Sequence, residues 1–436
     1  MHPILFRLPL PWVGEVPIYT WGVMLGISLI VGWYLTLGLA ERDGLPREML
    51  ANCYVITALA ALLGARLLFV ATNPILPEEY ASEATSWEKI RSIFEVRSGG
   101  MVAYGGFLGG LAASWGYLRW KKFPIVPWAD VGVPSVALGF FFTRLGCYFY
   151  GCDFGERLSE TAPGWLRRIG TFPHWPEGTV QGGEGAEAWV RHVDMGWVAP
   201  DAPASLPVHP TQLYEAGVGL ALFFFLLWLR KRQTFRGQLF VSFTFLYGFA
   251  RFCLEFVRDD VQRGDVPPAL PAHVLFPIAF AVFGGAFAFG IAPAIRSSAL
   301  RLGAQIAFVL PVVVSFVMLR PAEFVASQPA KLSTSQLIGL LSAAVAAWGF
   351  SVFWKNAEKS PAGGMAPIVW EGAEKEAGEE ESGHGDSATA TDSATDSDSD
   401  SATDSESATE TETKTETPSE EPAPKPRKKK KKKVSS

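Results

Sequence analysis

Three arginines lie inside otherwise apolar sequence: Arg66 in LLGARLLF, Arg144 in GFFFTRLGCYF and Arg251 in LYGFARFCLEF. A guanidinium is costly to hold in such surroundings, and it persists where it faces a cavity or a partner of opposite charge. Its planar fork of donors also matches a pair of phosphate oxygens better than an ammonium does. Several arginines near one face of a bilayer therefore point to a site for a phospholipid headgroup. The competing reading pairs each arginine with a carboxylate of its own bundle, Arg251 with Glu255 one turn on being the obvious case. Each of the three stands beside glycine or an aromatic residue, which favours a cavity.

Other chemistry-bearing residues gather near these arginines. The block GGMVAYGGFLGG at 99–110 places Gly105 and Gly106 directly after Tyr104. Glycine lets a backbone approach another backbone or a ligand closely, so helix packing and ligand contact both remain open. A buried Tyr104 hydroxyl needs a partner, either a phosphate or a second helix. HPTQLYEA at 209–216 puts His209, Gln212, Tyr214 and Glu215 where a polar segment meets the next apolar run. Pro210 suits a first helical turn, and Thr211 or Glu215 can satisfy free amides there, so capping explains part of the pattern. Cys147 and Cys152 flank the stretch LGCYFYGCDFG, and on a continuous helix they point in different directions, so packing thiols are expected rather than a disulfide. No His or further Cys lies near them in sequence, and neither a metal nor a cofactor is expected.

These residues sit on elements that the apolar pattern defines. The chain of 436 residues is 49% hydrophobic, and its apolar side chains fall in blocks of about 20, the span a helix needs to cross hydrocarbon. The expected helices cover about 17–40, 50–72, 101–120, 126–150, 211–230, 236–257, 270–292, 303–320 and 336–354. Basic clusters follow alternate helices, at Arg42 and Arg47, at Arg119, Lys121 and Lys122, at Arg230 to Arg232 with Arg236, and at Arg296 and Arg301. The positive-inside rule makes those loops cytoplasmic, with the N-terminus outside and the C-terminus inside. No basic flank, apolar core and cleavage site opens the chain, so a signal peptide is not expected.

The fold class is an all-α polytopic membrane protein. Residues 1–292 form its core, with 153–208, rich in Gly, Pro and Trp, as a small external head. Segment 73–98 carries Trp87, Ile90, Ile93 and Phe94 at helical spacing and is expected to lie along the membrane surface. Residues 293–355 add a hairpin of two more helices. Residues 356–436 turn to Ser, Thr, Asp and Glu, end in lysines from Lys428 to Lys433, and cannot bury a core. The net charge of −5 comes from this tail, and no nucleic-acid partner is expected. A polybasic end could rest on anionic headgroups or on the tail's own acidic half.

Five blocks in order carry a family resemblance: GARLLFVATNP from Gly64, SGGMVAYGGFLGG from Ser98, TRLGCYFYGCDFG from Thr143, HPTQLYEA from His209 and YGFARFCLEFVRDD from Tyr247. Together, over roughly residues 15–290, they resemble prolipoprotein diacylglyceryl transferase. The resemblance implies a seven-helix core in the bacterial inner membrane. It implies transfer of the diacylglyceryl group of phosphatidylglycerol to the lipobox cysteine of a prolipoprotein signal peptide, forming a thioether and releasing glycerol phosphate. Arg144 matches the family's essential arginine, with Gly146 and Gly155 in register. Arg251 matches a second one, with Tyr247, Glu255 and Arg258 around it. Arg144, Arg251 and Tyr104 are then the expected catalytic groups. Arg66, Gly105, Gly106, Gly146, Gly155, His209, Gln212, Tyr214, Glu215, Tyr247 and Glu255 are the expected substrate-binding ones.

The sequence also departs from that pattern. Tyr104 stands where the family commonly has His. Cys147 and Cys152 replace an Asn and an acidic residue, with Asp153 adjacent, and Trp21 precedes Gly22 where Tyr is usual. The two last helices and the tail have no counterpart. A diverged relative that binds or transfers lipid with another acceptor therefore remains open, as does a lipid transporter, although no internal repeat supports the latter.

Overall fold

The computed structural model describes residues 2–11, 14–72, 100–175, 185–259, 264–321, 328–360 and 364–365. The expected surface helix at 73–98 and almost all of the tail lie outside them. A short antiparallel hairpin, β1 (Ile4–Leu10) and β2 (Gly14–Tyr19), leads into α1 (Thr20–Arg42). There follow α2 (Arg47–Thr72), α3 (Ala103–Trp120) and α4 (Ile125–Tyr150). The head carries two short helices, α5 (Gly164–Ile169) and α6 (Glu187–Asp194). Then come α7 (Thr211–Arg230), α8 (Gln238–Leu254), β3 (Asp265–Pro271), α9 (Ala272–Ala286), α10 (Ser298–Leu319), β4 (Pro329–Ser333) and α11 (Thr334–Lys359).

Each expected apolar block is a helix, with ends that differ by a few residues. Eight of these helices among the described residues are long and apolar enough to cross a membrane, and the chain is an all-α, multi-pass membrane protein. Helix α3 falls short of that test because glycine, serine and one arginine dilute its 18 residues. Those glycines serve packing: a Cβ on Gly106 would come within 3.2 Å of the Ala61 carbonyl oxygen, and one on Gly110 within 3.4 Å of the Thr57 methyl. Gly105 and Gly64 face each other across the same seam, so the backbones of α2 and α3 touch.

The core is divided along the bundle. Leu37, Leu50, Leu118 and Trp128 join α1 to α4 at the end that carries the basic loops. Phe245, Phe252, Phe280, Phe283 and Phe287 interlock as edge-to-face and tilted rings against Ala343, Ala346 and Ala347 of α11. Gly248 of α8 and Gly339 of α11 let those two helices approach, since a Cβ on Gly248 would lie 2.6 Å from the Gly339 carbonyl oxygen. Helix α10 buries none of its residues, and Leu302, Val313 and Val317 point outward. Phe308 packs its inner side against Phe245, Phe249 and Phe287, and the apolar outer side, covered by none of the described residues, has lipid as its solvent.

Residues 153–175 and 185–208 form the head, at the end where α4 stops and α7 starts. Phe154, Phe172, Trp175, Ala186 and Val208 make its small core. Isolated bridges at Arg157 with Val208, Pro173 with Ala204 and His174 with Gly185 fold the segment onto itself. At this same end β3 pairs antiparallel with β4, and the two strands deliver the chain into α9 and α11.

Candidate functional site

Helix α4 ends because Gly151 takes a left-handed conformation, φ 87°, and donates its N–H to the Cys147 carbonyl at 2.8 Å. Cys152 therefore lies beyond the helix, and Asp153, itself at φ 57°, turns back over the last helical turn. Its carboxylate meets Arg144 Nη1 at 2.6 Å through one oxygen and Arg258 Nη2 at 2.6 Å through the other. Burial opposes the charge on Asp153, but the two guanidinium groups overcome it and hold the carboxyl down at about 2. Cys152, hydrogen-bonded with Cys147 and partly buried, has its thiol pushed well above the ordinary range. Both cysteines are free thiols, and Cys147 Sγ lies 4.0 Å from Arg144 Nη1. Cys147, Cys152 and Asp153 offer ligand atoms within 4.8 Å of one another, but both oxygens of Asp153 already serve arginines.

The start of α7 holds this turn in place. Thr211 Oγ1 donates to the Asp153 carbonyl at 2.5 Å, and Gln212 Nε2 donates to the Cys152 carbonyl at 2.5 Å. Neither caps its own helix, whose N-cap is Pro210 without a side-chain bond. The capping role expected for Thr211 and Glu215 is thus replaced by contacts between distant segments. Glu215 reaches across to Arg144 Nε at 3.0 Å and accepts from the Tyr247 hydroxyl at 3.0 Å. His209 Nδ1 and the Tyr214 hydroxyl are partners at 3.1 Å. Gly155 runs between them and the end of α8: its N–H donates to the His209 carbonyl at 3.0 Å, and it bridges Arg258. A Cβ there would come 2.7 Å from the Thr211 methyl, so no larger residue fits. Gly146 has a similar use, since a Cβ would stand 3.1 Å from Trp21 Cα and push α1 away from α4.

Tyr247 and Arg251 are one turn apart on α8 and share a face. Arg251 Nη1 pairs with Glu255, as the sequence reading of local pairs anticipates, and Nη2 donates to Ser335 Oγ of α11 at 3.0 Å. The Tyr104 hydroxyl donates to the same Ser335 oxygen at 3.2 Å. The result is a band of polar groups at the head end: Arg258, Asp153, Arg144, Glu215 and Tyr247 in one run, then Arg251 with Glu255, Ser335 and Tyr104. Three arginines and three carboxylates balance in charge. Arg144, Arg251 and Arg258 each have a carboxylate partner, as the pairing reading expects, and the set converges at one end of the bundle.

Arg66 occupies a different position. It is buried at the junction of α2 and α3, where Nη1 donates to the Gly100 carbonyl at 3.0 Å and the guanidinium lies over the Phe69 ring. Ser335 and the placement of Asp153 were beyond sequence reasoning. The signal that existed for Ser335 was the S-x-x-Q pattern of Ser333 and Gln336, which marks where α11 begins.

The described residues thus define a multi-pass helical membrane protein with paired arginines, carboxylates and hydroxyls gathered at one bundle end. Residues 8–290 match the prolipoprotein diacylglyceryl transferase family, and the chain belongs to that family. It is 26% identical over 291 residues to a phosphatidylglycerol–prolipoprotein diacylglyceryl transferase of Clostridium tetani, covering 67% of this chain and 98% of that one. The enzyme of the same name from Psychrobacter arcticus is 29% identical over 262 residues, 58% of this chain and 82% of its own. That from Geobacillus kaustophilus is 27% identical over 248 residues, 57% and 79% respectively.

Proposed function

We propose that this chain transfers the diacylglyceryl group of phosphatidylglycerol to the lipobox cysteine thiol of prolipoproteins, at the head end of the bundle. The observation that carries the reading is the convergence of Arg144 and Arg251, from different helices, in a member of a family of that activity. In the reaction the thiol sulfur bonds to the terminal glycerol carbon of the lipid, and that carbon's bond to the phosphate oxygen breaks. The electron pair leaves on the phosphate. Arg144 and Arg251 hold fixed positive charge where that negative charge grows, in surroundings of low dielectric, so they stabilise the transition state more than the ground state.

The thiol proton also needs a destination. Asp153, held at about 2 by its two arginines, is a poor acceptor at neutral pH. The departing phosphate monoester has a second pKa of about 6 and can take the proton itself, which leaves thioether and glycerol phosphate with atoms and charge balanced. Tyr104 and Glu255, both near Arg251, are the candidates to relay it. Carboxylate partners do not oppose this role, because Asp153, Glu215 and Glu255 fix the planes of the guanidinium forks before a phosphate arrives.

The positive-inside rule supports an orientation in the inner membrane with the head end on the non-cytoplasmic face and the C-terminal tail in the cytoplasm. Residues 1–292 act as the transferase core, with 153–208 as the head over the site, 293–355 as an added hairpin, and 356–436 as a polar tail. The test is to incubate membranes containing the protein with phosphatidylglycerol and a lipobox peptide and to look by mass spectrometry for a diacylglyceryl thioether. The expected result is a mass gain on the peptide cysteine; lipid bound or moved without any thioether would assign the chain to a lipid-handling relative with another acceptor.

A further inference from the structure

We infer that Ser335, supplied by α11 beyond the family-matched residues 8–290, binds the phosphate group of the lipid substrate together with Arg251 and Tyr104. The inference rests on the function proposed above and extends it to a part of the chain without a family counterpart. A serine hydroxyl has two acceptor lone pairs and one proton to donate. Both acceptor positions of Ser335 are engaged, by Arg251 Nη2 at 3.0 Å and by the Tyr104 hydroxyl at 3.2 Å. The Ser335 proton is then directed away from both donors, and the side chain, only partly buried, can offer it to an acceptor from outside the protein. An anionic oxygen that already contacts Arg251 is the acceptor this arrangement suits, since a hydrogen bond to a charged oxygen is stronger than one to water.

The position of Ser335 is built rather than incidental. Ser333 and Gln336 form a reciprocal capping box, with Gln336 N–H to Ser333 Oγ at 3.1 Å and Ser333 N–H to Gln336 Oε1 at 3.0 Å. The box fixes the first turn of α11 and sets Ser335 at its second position. One turn further along, Gly339 meets Gly248, which itself lies one turn before Arg251 on α8. The glycine contact sets the distance between the two helices, and the serine–arginine contact uses it. Tyr104, on the third helix of this group, stands where the resemblance expects a histidine, and its hydroxyl ends on the residue that the added helix brings.

The experiment compares wild type, Ser335→Ala and Ser335→Thr in the thioether assay at varied phosphatidylglycerol, with retention of phosphatidylglycerol by the purified protein in mixed micelles measured beside it. The expected result is about a tenfold higher KM for phosphatidylglycerol and weaker retention in the alanine variant, the scale of one hydrogen bond to a charged group. The threonine variant, which keeps the hydroxyl, should recover both. A merely structural serine would lower the melting temperature and leave KM and retention unchanged, and that outcome overturns the inference. If wild type makes no thioether, the proposed function fails, while a difference in retention between wild type and Ser335→Ala still supports the role of Ser335 and equal retention removes it.

Discussion

The two ends of the bundle are both tied by arginines and aspartates, yet they use them differently. At the basic-loop end, Asp43 accepts from Arg230 at 2.6 Å and Arg236 at 3.4 Å. Asp130 there is 1% exposed and accepts from the N–H of Gly237 at 2.5 Å, the N–H of Phe240 at 3.0 Å and Gln233 Nε2 at 2.6 Å. Asp130 satisfies backbone donors where α8 begins, the task a buried helix end demands, while Asp43 pairs with two guanidinium groups. At the head end, the carboxylates serve guanidinium groups, and the hydroxyls of Tyr104, Tyr247 and Ser335 complete the set. An arginine paired with a carboxylate is therefore no sign of function by itself. What separates the ends is that Asp130 fixes the backbone at one, while at the other the hydroxyls of Tyr104, Tyr247 and Ser335 join the ion pairs.

The largest test of that difference is to remove arginines from each end. Arg144→Ala and Arg251→Ala should lower kcat/KM for transfer by about 100-fold to 1,000-fold, the usual loss for one preorganised donor to a developing anion. The protein should still insert into membranes. Arg230→Ala, which loses its bonds to Asp43 and the Leu39 carbonyl, should change activity less than about threefold at equal amounts of inserted protein. Equal losses at both ends would break the comparison and return all these arginines to structural duty.

A smaller effect with the opposite signature is expected from Asp130→Ala. Three donors lose their acceptor, two of them backbone groups at a helix start, and the cost should be about 3 kcal/mol of stability. It should appear as a lower melting temperature in detergent, with activity per folded molecule close to wild type. Loss of activity without loss of stability would mean that the basic-loop end also takes part in the chemistry.

The helices and the head-end arginines were legible in the sequence, for identifiable reasons; the roles of Asp43 and Asp130 were not. Helices are local, so blocks of about 20 apolar residues located α1, α2, α4 and the rest within a few residues. Arg144 and Arg251 stood out because charge inside apolar sequence is rare. Their pairings did not, apart from that of Arg251 with Glu255 one turn on, although Glu215 itself was among the expected site residues. Glu215 reaches Arg144 from another helix, Asp153 reaches it only because the Gly151 turn reverses the chain, and Ser335 comes from a helix that follows Arg251 by more than 80 positions. No periodicity encodes such contacts; they depend on where Gly248 and Gly339, or Gly155 and Thr211, allow segments to approach. The glycine block at 99–110 shows the same limit, since sequence left packing and ligand contact equally open, and Gly105 and Gly106 face α2.

The finest test asks whether the head end can be loosened alone by pH. His192 on α6 is 1% exposed, and its Nδ1 accepts the Leu206 N–H at 3.1 Å, beside Trp197 and Phe154. Burial, then the positive charge of Arg157, lowers its pKa below the ordinary value of about 6.5, against a smaller opposing pull from Asp259. A depressed folded value means the head favours the neutral ring. That contribution is complete above about 6.5 and is lost as pH falls toward and through the folded value, where protonation would also remove the acceptor for Leu206. Proteolysis within 153–208 should therefore quicken modestly between about pH 6.5 and pH 5, while cleavage of the basic loops stays flat. His192→Gln should blunt the acid step, because its side chain does not titrate there. A wild-type head with the same cleavage rate across that range would show that His192 is held by packing alone, and that acid separates the two ends no better than neutral pH does.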